Sequence, residues 1–169
     1  PNLDYYNMKE LVERSEKNIT LERNDYLKMK GSIDTNIYYV ESGSLRIFVM
    51  DEQEEQTIRF GYKGNIIASL DSVLTGKPSR FYIQALKRTD LKVISRLQID
   101  LFLETEENRI LWTALLENLV LQQLDREIDI LTTSPLERYE RVLNRSPQLF
   151  QEIPHKHIAN YLRMSAETL

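Results

Sequence analysis

The chain has 169 residues, 41% hydrophobic and 28% charged, with a formal net charge of −4. That composition excludes a disordered chain, and the absence of cysteine excludes disulfides, thiol catalysis and cysteine-bound metal. The acidic balance excludes nucleic-acid binding through overall charge, so such a function must rest on a local patch; residues 135–169, with five Lys+Arg against four Asp+Glu, are the mildly basic part.

Apolar residues at helical spacing predict a short helix over residues 3–16. Strand signals follow at Ile19–Glu22, Tyr26–Met29 and Ile37–Glu41. Ser42-Gly43-Ser44 turns the chain into a strand at Leu45–Met50, where Leu45, Ile47 and Val49 alternate with Arg46, Phe48 and Met50. Asp51–Glu55 reads as a solvated hairpin end, Gln56–Tyr62 as the next strand, and Asp90–Ser95 as the last. All five glycines lie between Gly31 and Gly76, which marks a turn-rich β region ahead of a glycine-free, leucine-rich α region.

The stretch Gly64–Leu86 reads as a strand-like run, a Gly-Lys-Pro-Ser-Arg turn and a second strand-like run. Backbone N–H groups, hydroxyls and an arginine in one turn suit a small anion, and they equally suit an ordinary surface turn.

After Ser95 the period changes. Gln98–Glu104 reads as a turn or two of helix, and Asn108–Leu131 as one long helix. Leu116, Val120, Leu124, Ile128 and Leu131 form an apolar stripe that Leu111, Leu115 and Leu119 extend. A helix of about 36 Å is longer than a small β domain can cover, so part of the stripe is expected on the core and the rest on a partner helix in a homodimer. Ser134 and Pro135 start the next helix, to Asn144.

The tail IPHKHIANYLRMSAETL (153–169) has the layout of a helix-turn-helix or of a plain helical hairpin. Ile158 and Leu162 would be buried between its helices, Ala159 would allow close approach, and Ser165 would cap a second helix. A helix begun on the last five residues is not stable alone, which leads us to expect a longer native polypeptide. The two histidines, His155 and His157, point to different helix faces and make a poor metal site. With no histidine in the β region, no Ser–His triad and no glycine-rich phosphate motif, an enzyme is not expected.

Taken together, YYVESGSLRIFV (38–49), GNIIASLDSVLTGKPSRFYIQALKRTDLKVI (64–94), the helix 108–131 and IANYLRMSAETL (158–169) resemble the cyclic-AMP receptor / fumarate-nitrate regulator family of bacterial transcription factors. The resemblance covers nearly the whole chain. It implies an α+β fold: an N-terminal jelly roll with flanking helices (1–106), a dimerisation helix (107–133) and the start of a winged helix-turn-helix (134–169). It further implies a cytoplasmic homodimer that binds DNA, with RNA polymerase as a further partner, no membrane contact and no cofactor beyond a small-molecule effector.

In members that bind cyclic nucleotides, a Gly-Glu-Leu and a later Arg-Ser-Ala or Arg-Thr-Ala hold the ribose and the phosphate. Here those slots hold Ala68-Ser69-Leu70 and Ser79-Arg80-Phe81. Ser69 lacks a carboxylate, the arginine is displaced by one position, and Phe81 would occupy ligand volume. The effector-pocket candidates are therefore Ser69, Leu70, Ser79, Arg80 and Phe81; tight binding of cyclic AMP or cyclic GMP is not expected, and the effector is unknown or missing altogether. The DNA-contact candidates are Lys156, Arg163, Ser165, Ala166, Glu167 and Thr168, with Arg163 standing where the family has a glycine. The dimer-interface candidates are Leu116, Val120, Leu124, Ile128 and Leu131. The rival readings are a dimeric sensor acting through protein partners and, less favoured, a cupin-like metalloenzyme.

Overall fold

The computed structural model describes residues 3–169, with side chains from Met8 onward. In chain order, α1 (Leu3–Glu13) precedes β1 (Lys17–Leu21), β2 (Tyr26–Lys28), β3 (Ile37–Ser42), β4 (Ser44–Asp51), β5 (Glu54–Tyr62) and β6 (Ile66–Ile67). Then come α2 (Leu70–Thr75), β7 (Tyr82–Ala85) and β8 (Thr89–Ile94), followed by α3 (Arg96–Phe102), α4 (Glu106–Leu131), α5 (Pro135–Arg145), α6 (Leu149–Glu152) and α7 (His155–Tyr161).

The strands pair antiparallel in two four-stranded sheets, ordered β1-β8-β3-β6 and β2-β7-β4-β5. This is the jelly-roll arrangement expected from short strands with closely spaced turns. Val40, Leu45, Ile47, Ile83 and Leu91 fill the space between the sheets. Gly43 joins β3 to β4 at φ +91°, and a Cβ there would strike the Thr89 hydroxyl and the Arg88 carbonyl, so only glycine fits the hairpin.

Along β4 the residues from Ser44 to Phe48 are buried on both faces of the strand. Arg46 and Phe48, on the face away from Leu45 and Ile47, are as buried as the core. Phe48 stacks on Tyr82 with ring centroids 5.1 Å apart, and the Arg46 guanidinium lies 4.1 Å above the Phe48 ring.

The N-terminal half of α4 is a core helix: Leu115 is buried with Met8, Leu11 and Val12 of α1, and Leu111, Trp112 and Leu119 pack beside them. A third apolar cluster joins the β-roll to the helical tail. Phe60 and Leu86 pack there with Val142, Leu149, Ile153, Ile158 and Leu162, so Ile158 and Leu162 close onto the roll as well as onto each other's neighbourhood.

Three expectations change. The run ahead of the Gly-Lys-Pro-Ser-Arg turn is strand only at Ile66–Ile67; Leu70–Thr75 is helix α2, closed by Gly76 in a left-handed conformation at φ 68°. The short helix α6 has no counterpart in the sequence reading. Residues 166–168 form a turn instead of a helix, although the Thr168 N–H does donate to Ser165 Oγ at 3.3 Å in the manner of an N-cap.

Candidate functional site

The turn Gly76–Arg80 folds back over the start of α2, and Asp71 sits between them. Its carboxylate accepts from Ser79 Oγ at 2.7 Å and from the Arg80 backbone N–H at 3.0 Å. The hydroxyl and N–H that an external anion would use are thus bonded to an internal one. The Arg80 side chain is 79% exposed and only 3.8 Å from the same carboxylate. Phe81 packs against the core between the sheets. Ser69 is buried at the start of α2, and its Oγ has no hydrogen-bond partner among the described residues. Leu70 is half-buried beside it. The five effector-pocket candidates therefore share one corner, but the arginine points out of it.

A buried network fixes that corner. Tyr38 donates to Asp34 at 2.6 Å, Lys28 lies 3.2 Å from the same carboxylate, and the Asp34 N–H donates to Ser72 Oγ of α2 at 3.0 Å. Burial, and then the bond to Asp34, push the Tyr38 hydroxyl far above its ordinary range, so it stays a donor.

α4 turns into α5 around Asp129. This side chain is fully buried in the last turn of α4, where the helix dipole disfavours a carboxylate. Two arginines of α5 offset that: Arg141 Nε donates at 3.0 Å, and Arg145 holds both carboxylate oxygens. The bond to Asp129 in turn holds the Arg145 guanidinium above its ordinary range.

The helical tail docks on β5. The Thr57 N–H donates to Asn160 Oδ1 at 2.9 Å, and Asn160 Nδ2 donates to the Glu55 carbonyl at 2.8 Å. Arg126 of α4 completes the joint, donating to the Thr57 carbonyl at 2.7 Å and to the Tyr161 carbonyl at 3.2 Å. Docking leaves Lys156, Arg163, Ser165, Ala166, Glu167 and Thr168 all exposed. Arg163 has φ 56°, the left-handed conformation that a glycine adopts freely. Glu167 is held below the usual carboxylate range by its own backbone N–H and by the Ser165 hydroxyl.

Of the dimer-interface candidates, Val120, Leu124, Ile128 and Leu131 are 50–72% exposed, and Leu116 is half-buried. Leu121, 61% exposed, widens the stripe. Sequence reasoning missed Asp71, Asp129, Arg126 and Asn160.

Residues 18–106, more than half of the chain, match the cyclic nucleotide-binding domain. No curated protein matches by sequence. The fold is similar to that of FixK2 from Bradyrhizobium japonicum, with a TM-score of 0.72 at 16% identity, covering 90% of this chain and 79% of that one. A mutant of CooA from Carboxydothermus hydrogenoformans gives a TM-score of 0.72 at 15% identity, covering 99% and 80%. The c-di-GMP responsive regulator CLP of Xanthomonas campestris gives 0.71 at 15% identity, covering 97% and 87%. The fold is thus that of the cyclic-AMP receptor / fumarate-nitrate regulators. The chain belongs to the cyclic nucleotide-binding domain family.

Proposed function

We propose that this protein is a homodimeric, DNA-binding transcription regulator of the cyclic-AMP receptor / fumarate-nitrate type. The observation that carries the reading is that the likeness to such regulators runs beyond the roll, through α4 and the helical tail, over 97–99% of the chain for CLP and CooA. In this reading 1–106 is the effector unit, 107–133 the dimerisation helix and 134–169 the DNA-reading unit. Two features support it. The exposed stripe on α4 suits a second copy of the same helix. The six DNA-contact candidates stay exposed while Asn160, Ile158 and Leu162 hold the tail to the roll. Lys156 and Arg163 suit phosphates, and the ionised Glu167 suits a cytosine amino group.

The cassette is silent toward cyclic nucleotides in this proposal. Asp71 already fills the anion slot, Arg80 faces solvent, Ser69 offers the ribose no carboxylate, and Phe81 takes up interior space. A phosphate brought beside Asp71 would meet like charge, while the charge-assisted contacts it normally gains, of about 1.5–3 kcal/mol each, would be missing. Calorimetry with cyclic AMP and cyclic GMP is expected to give no saturable heat, and a micromolar dissociation constant for either would refute this part.

The regulator reading is tested by selecting bound duplexes from a randomised DNA pool with the full chain. Enrichment of a two-fold-related motif, with affinity falling steeply as salt rises, is expected. Retention of no sequence, alongside a monomeric mass in sedimentation, would overturn it.

A further inference from the structure

The Gly76–Arg80 turn has a neighbour besides α2, the loop Met29–Asp34 between β2 and β3. The Gly31 N–H donates to the Ser79 carbonyl at 2.8 Å, and the Ser79 N–H donates to the Ser32 carbonyl at 2.9 Å. The Asp34 N–H adds its bond to Ser72 of α2 at 3.0 Å. These bonds clamp the loop against α2 and the turn, so the outward side chains of all three form one surface.

Two properties of that surface select a partner. The first is charge. Lys30, Lys77 and Arg80 are exposed, and Lys30 and Lys77 have no ion-pair partner among the described residues. The carboxylates nearby are engaged within the fold. Asp34 is buried with Tyr38 and Lys28, and Asp71 accepts from Ser79 and from the Arg80 N–H. Asp100, which Arg96 links to the Val73 carbonyl of α2, is paired with Arg96 at 3.0 Å. Outward positive charge is thus concentrated at one corner of a chain whose net charge is −4. The second property is apolar surface. Met29, Leu74 and Ile33, on the same segments, are 54%, 57% and 61% exposed. Large apolar side chains gathered beside cations, rather than scattered singly, mark a contact surface.

We propose that this corner docks a short acidic, amphipathic segment of another protein, its carboxylates over Lys30, Lys77 and Arg80 and its apolar side chains against Met29, Ile33 and Leu74. Charge complementarity and the apolar side chains together favour this partner. A single-stranded nucleic acid would find the cations but no aromatic platform, since none of the three exposed apolar side chains is aromatic. An anionic bilayer would also face the rest of the chain, which is more negative than the whole. The occupant would sit on the outside of a turn whose Ser79 is bonded to Gly31 and Ser32 by its backbone and to Asp71 by its hydroxyl, so docking bears directly on the cassette corner. The docking itself does not rest on the regulator reading above.

The test is fluorescence anisotropy of the full chain with a labelled amphipathic peptide of about twelve residues, Asp and Glu on one face and Leu on the other. It is expected to bind with a dissociation constant on the order of 100 μM or tighter at low salt, and to weaken as ionic strength rises. A version with Ser for Leu, and one with Lys for the acidic residues, should each bind at least about tenfold more weakly. Lys77→Glu is expected to weaken binding about fivefold or more, while Lys63→Glu, the same charge change at another exposed position, leaves it unchanged. Ile33→Ser, on the exposed loop, should weaken it about threefold. No binding of the acidic peptide, equal binding of its Ser or Lys version, or equal losses from Lys63→Glu and Lys77→Glu overturns the inference. Tighter binding to phosphatidylserine vesicles or to single-stranded DNA, lost in Lys77→Glu, overturns it in favour of those surfaces. DNA selection run in parallel tests only the regulator reading, so either claim can fail without the other.

Discussion

Replacing Asp129 by alanine removes the charge that ties α4 to α5. Breaking a buried ion pair from one side costs about 3–5 kcal/mol, because the partner is left buried without compensation. Here the partners are less trapped than that, since the Arg141 and Arg145 side chains are 39% and 31% exposed and regain water when released. Removing a carboxylate from the negative end of α4 also returns a few tenths of a kcal/mol. The expected loss is therefore about 2–3 kcal/mol, which for a chain of this size lowers Tm by about 4–12 °C. Asp129→Asn keeps the shape, yet its amide nitrogen meets a guanidinium donor, and it should fall about midway. Thermal unfolding of the full chain by circular dichroism measures both variants. A double-mutant cycle with Arg145→Met should give a coupling of about 1 kcal/mol or more. A Tm within about 1 °C of wild type for Asp129→Ala, with no coupling, would refute the account of this joint.

Asp71→Ala frees the Ser79 hydroxyl and the Arg80 N–H, and is expected to cost about 1–2 kcal/mol in urea unfolding; an unchanged midpoint would show that the carboxylate does not hold the turn. His157 is lowered from 6.5 to about 4, first by burial and then by the neighbouring Arg46 and Lys156. Its protonated form is disfavoured in the fold, so the unfolded chain binds more protons between those values, and stability should fall as pH drops from 6.5 toward 4. His157→Gln should flatten that slope, and an imidazole titrating near its ordinary value by NMR would contradict it. Gly43→Ala, forced into a left-handed backbone against Thr89 and Arg88, should cost at least about 2 kcal/mol by urea unfolding; a loss under about 0.5 kcal/mol would mean the hairpin rearranges freely.

The strands and α4 were legible because they repeat a period: alternation between Gly43 and Tyr62, and a four-residue step from Leu116 to Ile128. Helix α2 was not, because six residues that include Val73 and Thr75 carry little helical preference. What fixes it is tertiary: Asp34 reaching Ser72, and Asp71 reaching Ser79 across the turn. The Gly-Lys-Pro-Ser-Arg turn could be read from its residues, but Asp71 as the acceptor of its hydroxyl and N–H could not. Asn160 was further out of reach, since its partners Thr57 and Glu55 lie 103 and 105 residues away. Nothing local foretells the aromatic stack that buries Arg46 and Phe48.

β5 is the outermost strand of its sheet. A strand in that position offers free backbone donors and acceptors to any extended chain, its own kind included. The amide of Asn160 presents one donor and one acceptor, as a peptide group would, and Arg126 takes the remaining Thr57 carbonyl. A side chain from the tail thus stands in for a neighbouring strand. Any movement that lifts the tail from the roll uncovers a strip able to recruit another strand, so the docked tail also guards the sheet against association through its edge.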